Sequence, residues 1–273
     1  MRSIAKLMKD WQFTGPNGVT TAVELPHTWN ARDGQDGGND YWRGCCTYCT
    51  RFAAPVYDPA QQQVWLQFEG INASAAVLLN GQQLCTHDGG YSTFRAEVTE
   101  LLQAENQLTV RVDNSVNDRV YPQKADFTFY GGIYRDVSLL VVNKNHIALG
   151  HFGDTGVKIT PALQENSADI RVETLVEGSG TVTVELLDAE GRTVAKGEGE
   201  NTFLHLDAPH LWNGVKDPYL YTCVVRLMQD GKPVDEVTTK VGLRSFSVDA
   251  MCAACPSSCS PSAPARRKAR RPA

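Results

Sequence analysis

The sequence predicts an all-β protein: a jelly-roll β-sandwich followed by an immunoglobulin-like β-sandwich and a disordered C-terminal tail. Three observations carry this. Apolar and polar residues alternate with period two along most of the chain, while helical periodicity is nearly absent. Turn dipeptides, Asn80-Gly81, Glu190-Gly191 and Asp230-Gly231, fall between alternating runs. The texture also changes at about Asn143, from long aromatic-rich loops to short, evenly spaced strands.

The elements follow in order. "CCTYCTRF", from Cys45 to Phe52, alternates as a strand does. In "QVWLQFEGI" Val64, Leu66 and Phe68 take one face and Trp65, Gln67 and Glu69 the other. "AAVLLNGQQL" turns back at Asn80-Gly81, where a type I′ turn needs positive φ at both central residues. "VTELLQAEN" is the segment suited to a helical turn; "NQLTVRVDNS" then resumes the alternation with Leu108, Val110 and Val112, and "RDVSLLVV" supplies a further strand. These make up a first domain, residues 1–143. From 144 to 249 the runs "ADIRVETLV", "TVTVELLDAEGRTVAKGEG", "NTFLHLDAP" and "YLYTCVVRLMQDGKPVDEVTTKVGLRSFSV" amount to about seven strands in roughly 100 residues, the spacing of an immunoglobulin-like sandwich. Residues 250–273 hold five bases, no acid and no aromatic; they are expected to stay disordered, and their composition reads as an out-of-frame translation.

Of the 273 residues, 42% are hydrophobic and 21% charged, ordinary for a globular protein, and no apolar run approaches the ~20 residues of a membrane helix. "MRSIAKLMKDWQF" has no apolar h-region, so a cytoplasmic location is expected and no membrane partner. The net charge is −5, and with five bases in the tail the first 249 residues carry −10. That argues against nucleic acid as a partner of the folded part. Eight cysteines include two C-x-x-C pairs, a spacing that suits zinc. Cys46 and Cys49, however, sit three apart on a predicted strand and face opposite ways. The cluster Cys252, Cys255 and Cys259 lies in a Pro/Ser/Ala segment without histidine. Unpaired thiols are therefore expected, with no metal site and no cofactor.

Eight motifs in order resemble one family: "LPHTWNARDG", "YWRGCCTYCTRF", "WLQFEGINASAAVLLNGQQL", "HDGGYSTFRAEVTELL", "NQLTVRVDNS", "FYGGIYRDVSLLVV", "APHLWNGVKDPYLYTCVVRL" and "VGLRSFSVDA". Together they are similar to glycoside hydrolase family 2 of the β-galactosidase type, from Asp10 to about Asp249. The resemblance implies a sugar-binding-like jelly roll, then an immunoglobulin-like domain, then a catalytic (β/α)8 barrel. It also implies that an Asp six residues before Gly132, which is Asp126, helps hold the terminal sugar, and ligates a cation only in the full-length context. Asn39 or Asp40, in "GQDGGNDYWRG", is the implied second edge of that site; a Gly-rich solvated turn is the alternative. Phe127, Phe129 and Tyr130 offer flat faces to a pyranose or a partner domain, or else plug the underside of their loop. His87 and Asp88 are read as structural, with Gly89 and Gly90 permitting positive φ. Trp212, Tyr219 and Tyr221 are read as domain packing, and Arg244 as part of the strand that leads to the barrel.

Retaining glycosidases work with two carboxyl groups about 5 Å apart. In the family these come from the barrel, which takes about 250 residues. After Asp249 there are 24 residues, none of them Asp or Glu. The expected function is thus the non-catalytic N-terminal part of a family 2 retaining exo-β-glycosidase, with β-galactosidase favoured and no activity alone. Its partners would be a catalytic barrel domain or second subunit, and a β-galactoside together with that barrel. The alternative is a stand-alone carbohydrate-binding module or a complementing subunit for a separate barrel. A fragment would show an apolar docking face; a module would show an exposed aromatic platform.

Overall fold

The computed structural model describes residues 1–31, 42–122 and 127–246. The predicted tail, 250–273, lies outside them, as do Asn39, Asp40 and Asp126. By proximity the chain groups into two bodies. One is Met1–Val157 with Thr174–Val182 and Arg226–Val237; the other is Lys158–Glu173 with Thr183–Val225 and the chain from Thr238 on.

The first body is a jelly-roll sandwich. One sheet has the order Ser3–Lys6, Val137–Asn143, Gln62–Phe68, Phe94–Glu97. The other has six strands in the order Thr20–Val23, Trp11–Thr14, Cys45–Ala53, Glu105–Asp113, Ser74–Leu79, Gln82–Asp88. Alternation decides which face is buried: Leu108, Val110 and Val112 are fully enclosed, and on the neighbouring strand Tyr48 lies opposite Val110. Val64, Leu66 and Phe68 face them from the first sheet, and all belong to one core with Trp11, Val77 and Leu79. Two half-apolar faces closing on one core is the physical basis of a sandwich. Val137–Asn143 departs from alternation because both of its faces are covered. Val137, Leu139 and Val141 enter the main core, while Leu140 and Val142 pack with Leu149 and Trp65 on the other side. A strand covered twice reads as a continuous apolar run.

The body is also fastened by a charge. Asp235, fully buried, receives Arg2 Nε at 2.7 Å, Arg2 Nη2 at 2.6 Å and the Ile147 N–H at 2.8 Å. A carboxylate this deep is tolerable because its oxygens are met by donors, one of them bidentate.

In the second sandwich three strands, Val157–Leu163, Ser167–Thr174 and Asn201–Asp207, form one sheet. Thr193–Glu198, Thr181–Leu187, Tyr221–Gln229 and Lys232–Val241 form the other. Ala168, Ile170 and Val172 are buried from the first, and Val182, Val184 and Leu186 from the second. This is the immunoglobulin-like arrangement the strand spacing predicts. Tyr221 is buried and its hydroxyl accepts the His210 N–H at 2.9 Å, Tyr219 stacks on His210 at 4.0 Å between centroids, and Arg244 lies 4.4 Å over the Trp212 ring.

The turns test the dipeptide reading. Asn80 and Gly81 have φ of 51° and 84°, Asp230 and Gly231 of 48° and 72°, as type I′ turns require. Only Gly191 is positive in the Glu190-Gly191 turn, which is built instead on Asp188, whose Oδ1 accepts the N–H groups of Glu190 and Arg192. "VTELLQAEN" yields a single 3-10 turn, Thr99–Leu101. The glycine pair divides its roles. Gly89 has positive φ, at 116°, but Gly90 does not; Gly90 is a glycine because a Cβ there would collide with the Asn72 side chain.

The cysteines follow the strand. Cys46 is buried, Cys45 exposed, and Cys49 half-buried on the face opposite Cys46. Cys45, Cys46, Cys49, Cys85 and Cys223 are free thiols. Burial pushes the Cys46 thiol up to about 12 and the Cys223 thiol up to about 11.

Candidate functional site

Because Asp126, Asn39 and Asp40 lie outside the described residues, the site is built from what flanks them. The loop from Phe127 to Gly131 has no strand partner along most of its length, so its backbone groups need other partners. Three buried asparagines supply them. Asn30 Oδ1 accepts the Gly131 N–H at 2.7 Å and Asn114 Nδ2 at 3.0 Å, while its own Nδ2 donates to the Trp42 carbonyl at 2.8 Å. Asn114 Nδ2 also donates to the Phe129 carbonyl at 2.8 Å, and its Oδ1 accepts the Gly44 N–H at 2.9 Å. Asn72 Nδ2 donates to the Tyr130 carbonyl at 2.7 Å. Thr28 Oγ1 closes the set on the Gly131 carbonyl at 2.8 Å.

The network joins five separate stretches. It ties Thr28–Asn30 and Trp42–Gly44, on either side of the segment holding Asn39 and Asp40, to the loop that follows Asp126. Gly131 and Gly132 let the loop come this close: a Cβ on Gly131 would meet the Trp29 indole, and Gly132 has a φ of 140°.

A pinned backbone dictates where the side chains go. Phe127 is 49% and Tyr130 42% exposed, so these two are not plugs under the loop. Phe129 is half-buried, with the Arg43 guanidinium 4.5 Å above its ring and Phe127 at 5.3 Å. Beside the loop runs a shallow groove whose walls include Arg43, Tyr91, Ser115, Asn117, Tyr121 and Phe129. Its enclosed part holds about one water. Tyr91 and Tyr121 stand 58% and 75% exposed on its rim.

His87 and Asp88 serve structure. His87 stacks on Phe94 at 4.2 Å, and burial lowers its pKa. Asp88 receives Arg119 Nε at 2.8 Å and the Ser74 hydroxyl at 2.5 Å; the Arg119 bond holds its carboxyl below the usual carboxylate range. The described groove walls contain no Asp or Glu. The exposed tyrosine rings and the polar side chains of the walls can meet the faces and hydroxyls of a ring.

Sequence reasoning passed over Asn30, Asn72, Asn114 and Arg43. Asn72 and Asn114 do carry a signal: each stands at or near the end of an alternating run, in "GIN" and "VDN", where an amide serves the backbone of an irregular segment.

Comparison with known proteins now decides the family. Residues 39–162 match the sequence model described as "Glycosyl hydrolase 2 galactose-binding domain-like", and residues 151–244 that described as "Glycosyl hydrolases family 2". The chain belongs to glycosyl hydrolase family 2. Among curated relatives, a β-glucuronidase of Bacteroides fragilis is 33% identical over 89% of this chain and 38% of its own length. The crystal structure of an FMN-binding β-glucuronidase from Faecalibacterium prausnitzii L2-6 superposes with a TM-score of 0.86 at 35% identity, covering 91% of this chain and 40% of that one. A putative β-galactosidase from Bacteroides fragilis gives a TM-score of 0.81 at 35% identity, covering 90% of this chain and 42% of the other. The family 2 chain thus spans about two fifths of the length of these relatives.

Proposed function

We propose that this region is the non-catalytic N-terminal part of a family 2 retaining exo-β-glycosidase, in which it seats the sugar while a barrel domain supplies the chemistry. The observation that carries this is the asparagine-pinned loop: its backbone is held at Phe129, Tyr130 and Gly131 while Phe127 and Tyr130 project into solvent. Such a loop is rigid enough to present aromatic faces to a ring or to a partner domain. Asp126, from the adjoining segment, would accept hydrogen bonds from sugar hydroxyls. Hydrolysis would need the acid/base and nucleophile carboxyls of the barrel, about 5 Å apart. Binding by the sandwich without them does not accelerate the reaction.

Asp126 is the sequence-level ground for a β-galactoside, and relatives named β-galactosidase and β-glucuronidase both support a β-glycoside in the wider sense. A second reading, a carbohydrate-binding module, draws on the exposed Tyr91 and Tyr121 beside the groove.

Complementation tests the first reading. Chain 1–273 alone should not turn over a nitrophenyl β-glycoside, and adding the barrel-containing remainder of the Bacteroides fragilis β-glucuronidase should restore measurable turnover that Asp126→Ala weakens. Hydrolysis by the lone chain, abolished by a single Asp or Glu substitution within it, would overturn the assignment.

A further inference from the structure

We propose that His27 is a positioning residue for the loop and that with Tyr48 it forms a proton-sensitive joint: neutral His27 holds the root of the loop in place, and protonated His27 releases it. The consequence for seating a sugar rests on the reading of the loop given above, which it deepens by naming what regulates it. The root is Gly132–Ile133, a two-residue strand paired with Ile71–Asn72. Both backbone groups of Ile133 are held from below. Its carbonyl accepts the His27 N–H at 2.8 Å, and its N–H donates to the Tyr48 hydroxyl. Gly132 lies so near that a Cβ there would collide with the His27 carbonyl and the Tyr48 hydroxyl. The residues after His27 continue the hold: the Thr28 hydroxyl and the Trp29 N–H both donate to the Gly131 carbonyl.

The two side chains meet directly. His27 Nδ1 and Tyr48 Oη are 2.7 Å apart, and the Phe13 ring lies 4.8 Å from the His27 ring and 4.9 Å from the Tyr48 ring. Tyr48 is fully buried, and burial pushes its pKa upward, so the phenol keeps its proton. That proton needs an acceptor inside the core, and among the described residues His27 Nδ1 is the acceptor it meets. His27 therefore accepts at Nδ1 and carries its own proton on Nε2. A second proton on the ring would have to sit at Nδ1. Two donors would then face each other at 2.7 Å, the buried hydroxyl would lose its acceptor, and the pair would part. Burial also lowers the His27 pKa, so the fold favours the neutral ring. Among the described residues no acid or base pairs with His27; Tyr48 is the titratable group against it, and Phe13 and Gly132, from the other elements packed there, are neutral. With the folded pKa below the unfolded one, the hold is fully present above the unfolded value and is lost as pH falls through the folded one.

The test is an NMR titration of chain 1–273 from pH 8 to pH 5, with neither sugar nor barrel present, following the His27 ring nitrogens and the amides of Tyr130–Ile133. At pH 8 the ring should be the Nε2–H tautomer. As pH falls, those amides should shift with the midpoint of the His27 ring, below the ordinary histidine value. His27→Asn should keep the loop amides at their native positions and remove their pH dependence, because the Asn Oδ1 can accept from the same hydroxyl and takes up no proton in this range. Tyr48→Phe should leave His27 titrating and uncouple the loop from it. An Nδ1–H tautomer, loop amides that ignore the His27 midpoint, or a loop titration that survives either substitution would overturn the proposal. A joint that titrates as described while complementation fails would discard the sugar role and keep the joint; complementation that succeeds without the linked shift would do the reverse.

Discussion

A loop that crosses the end of a sandwich has no ladder to satisfy its backbone, and here asparagine side chains stand in for one. An amide is well suited to this because it donates and accepts through one planar group, so Asn114 can meet Gly44, Asn30 and Phe129 together. Asn114 is fully buried, and removing its amide would take the acceptor from the Gly44 N–H and a donor from Asn30 Oδ1 and the Phe129 carbonyl. Asn114→Ala should therefore cost about 2 to 4 kcal/mol, read from the urea midpoint, with the largest chemical-shift changes at Gly44 and Phe129. A loss below about 0.5 kcal/mol would mean that solvent reaches the site and the pinning is weak. The sequence marks Asn114 only as the amide closing "RVDN" and does not say which groups it meets. Its partners lie 15, 70 and 84 positions away.

At the scale of elements, strands and turns were the most legible features, because each needs only neighbouring residues. Val64, Leu66 and Phe68 were read onto one face and all three are fully buried there. The pair Gly89-Gly90 shows where local reading stops. Two adjacent glycines suggest two positive φ values, yet only Gly89 has one, and Gly90 answers to the side chain of Asn72, which packs where its Cβ would be. The two explanations predict different results. Gly90→Ala should destabilise by more than the roughly 1 kcal/mol of a backbone-propensity effect, and should release Asn72 from the Tyr130 carbonyl. Thermal unfolding of Gly90→Ala beside Gly81→Ala measures this. At Gly81 the φ is 84° but nothing lies within 4 Å of the added methyl, so only backbone strain is paid there. An equal loss at both positions would remove the packing explanation.

Over the whole molecule, burial of the thiols reports whether both sandwiches are closed. Cys45 is exposed, whereas Cys46 and Cys223 are enclosed and pushed up to about 12 and about 11, far from the thiolate form at neutral pH. Alkylation of the native chain at pH 8 followed by peptide mapping should mark Cys45 within minutes. Cys46 and Cys223 should react only as fast as their sandwiches open, and urea should bring all three to a common rate. Rapid labelling of Cys223 in native buffer would contradict a closed second sandwich.

The sequence by itself determined the fold class, the faces of the strands, the type I′ turn at Asn80-Gly81 and the resemblance to family 2, since these are written in patterns that repeat every two residues or in motifs of about ten. It also marked Asp126, Asn39 and Asp40 through that resemblance, three residues that lie outside the described part of the chain. Only the tertiary structure decided that Asn30, Asn72 and Asn114 hold one loop, that Phe127 and Tyr130 face outward, and that Arg43 is fixed over Phe129. It likewise brought Arg2 to Asp235, 233 positions along the chain. Periodicity encodes what a residue does relative to its neighbours, but a hydrogen bond across a sandwich end depends on where distant strands stop. That is set by the packing of the core and by no local pattern.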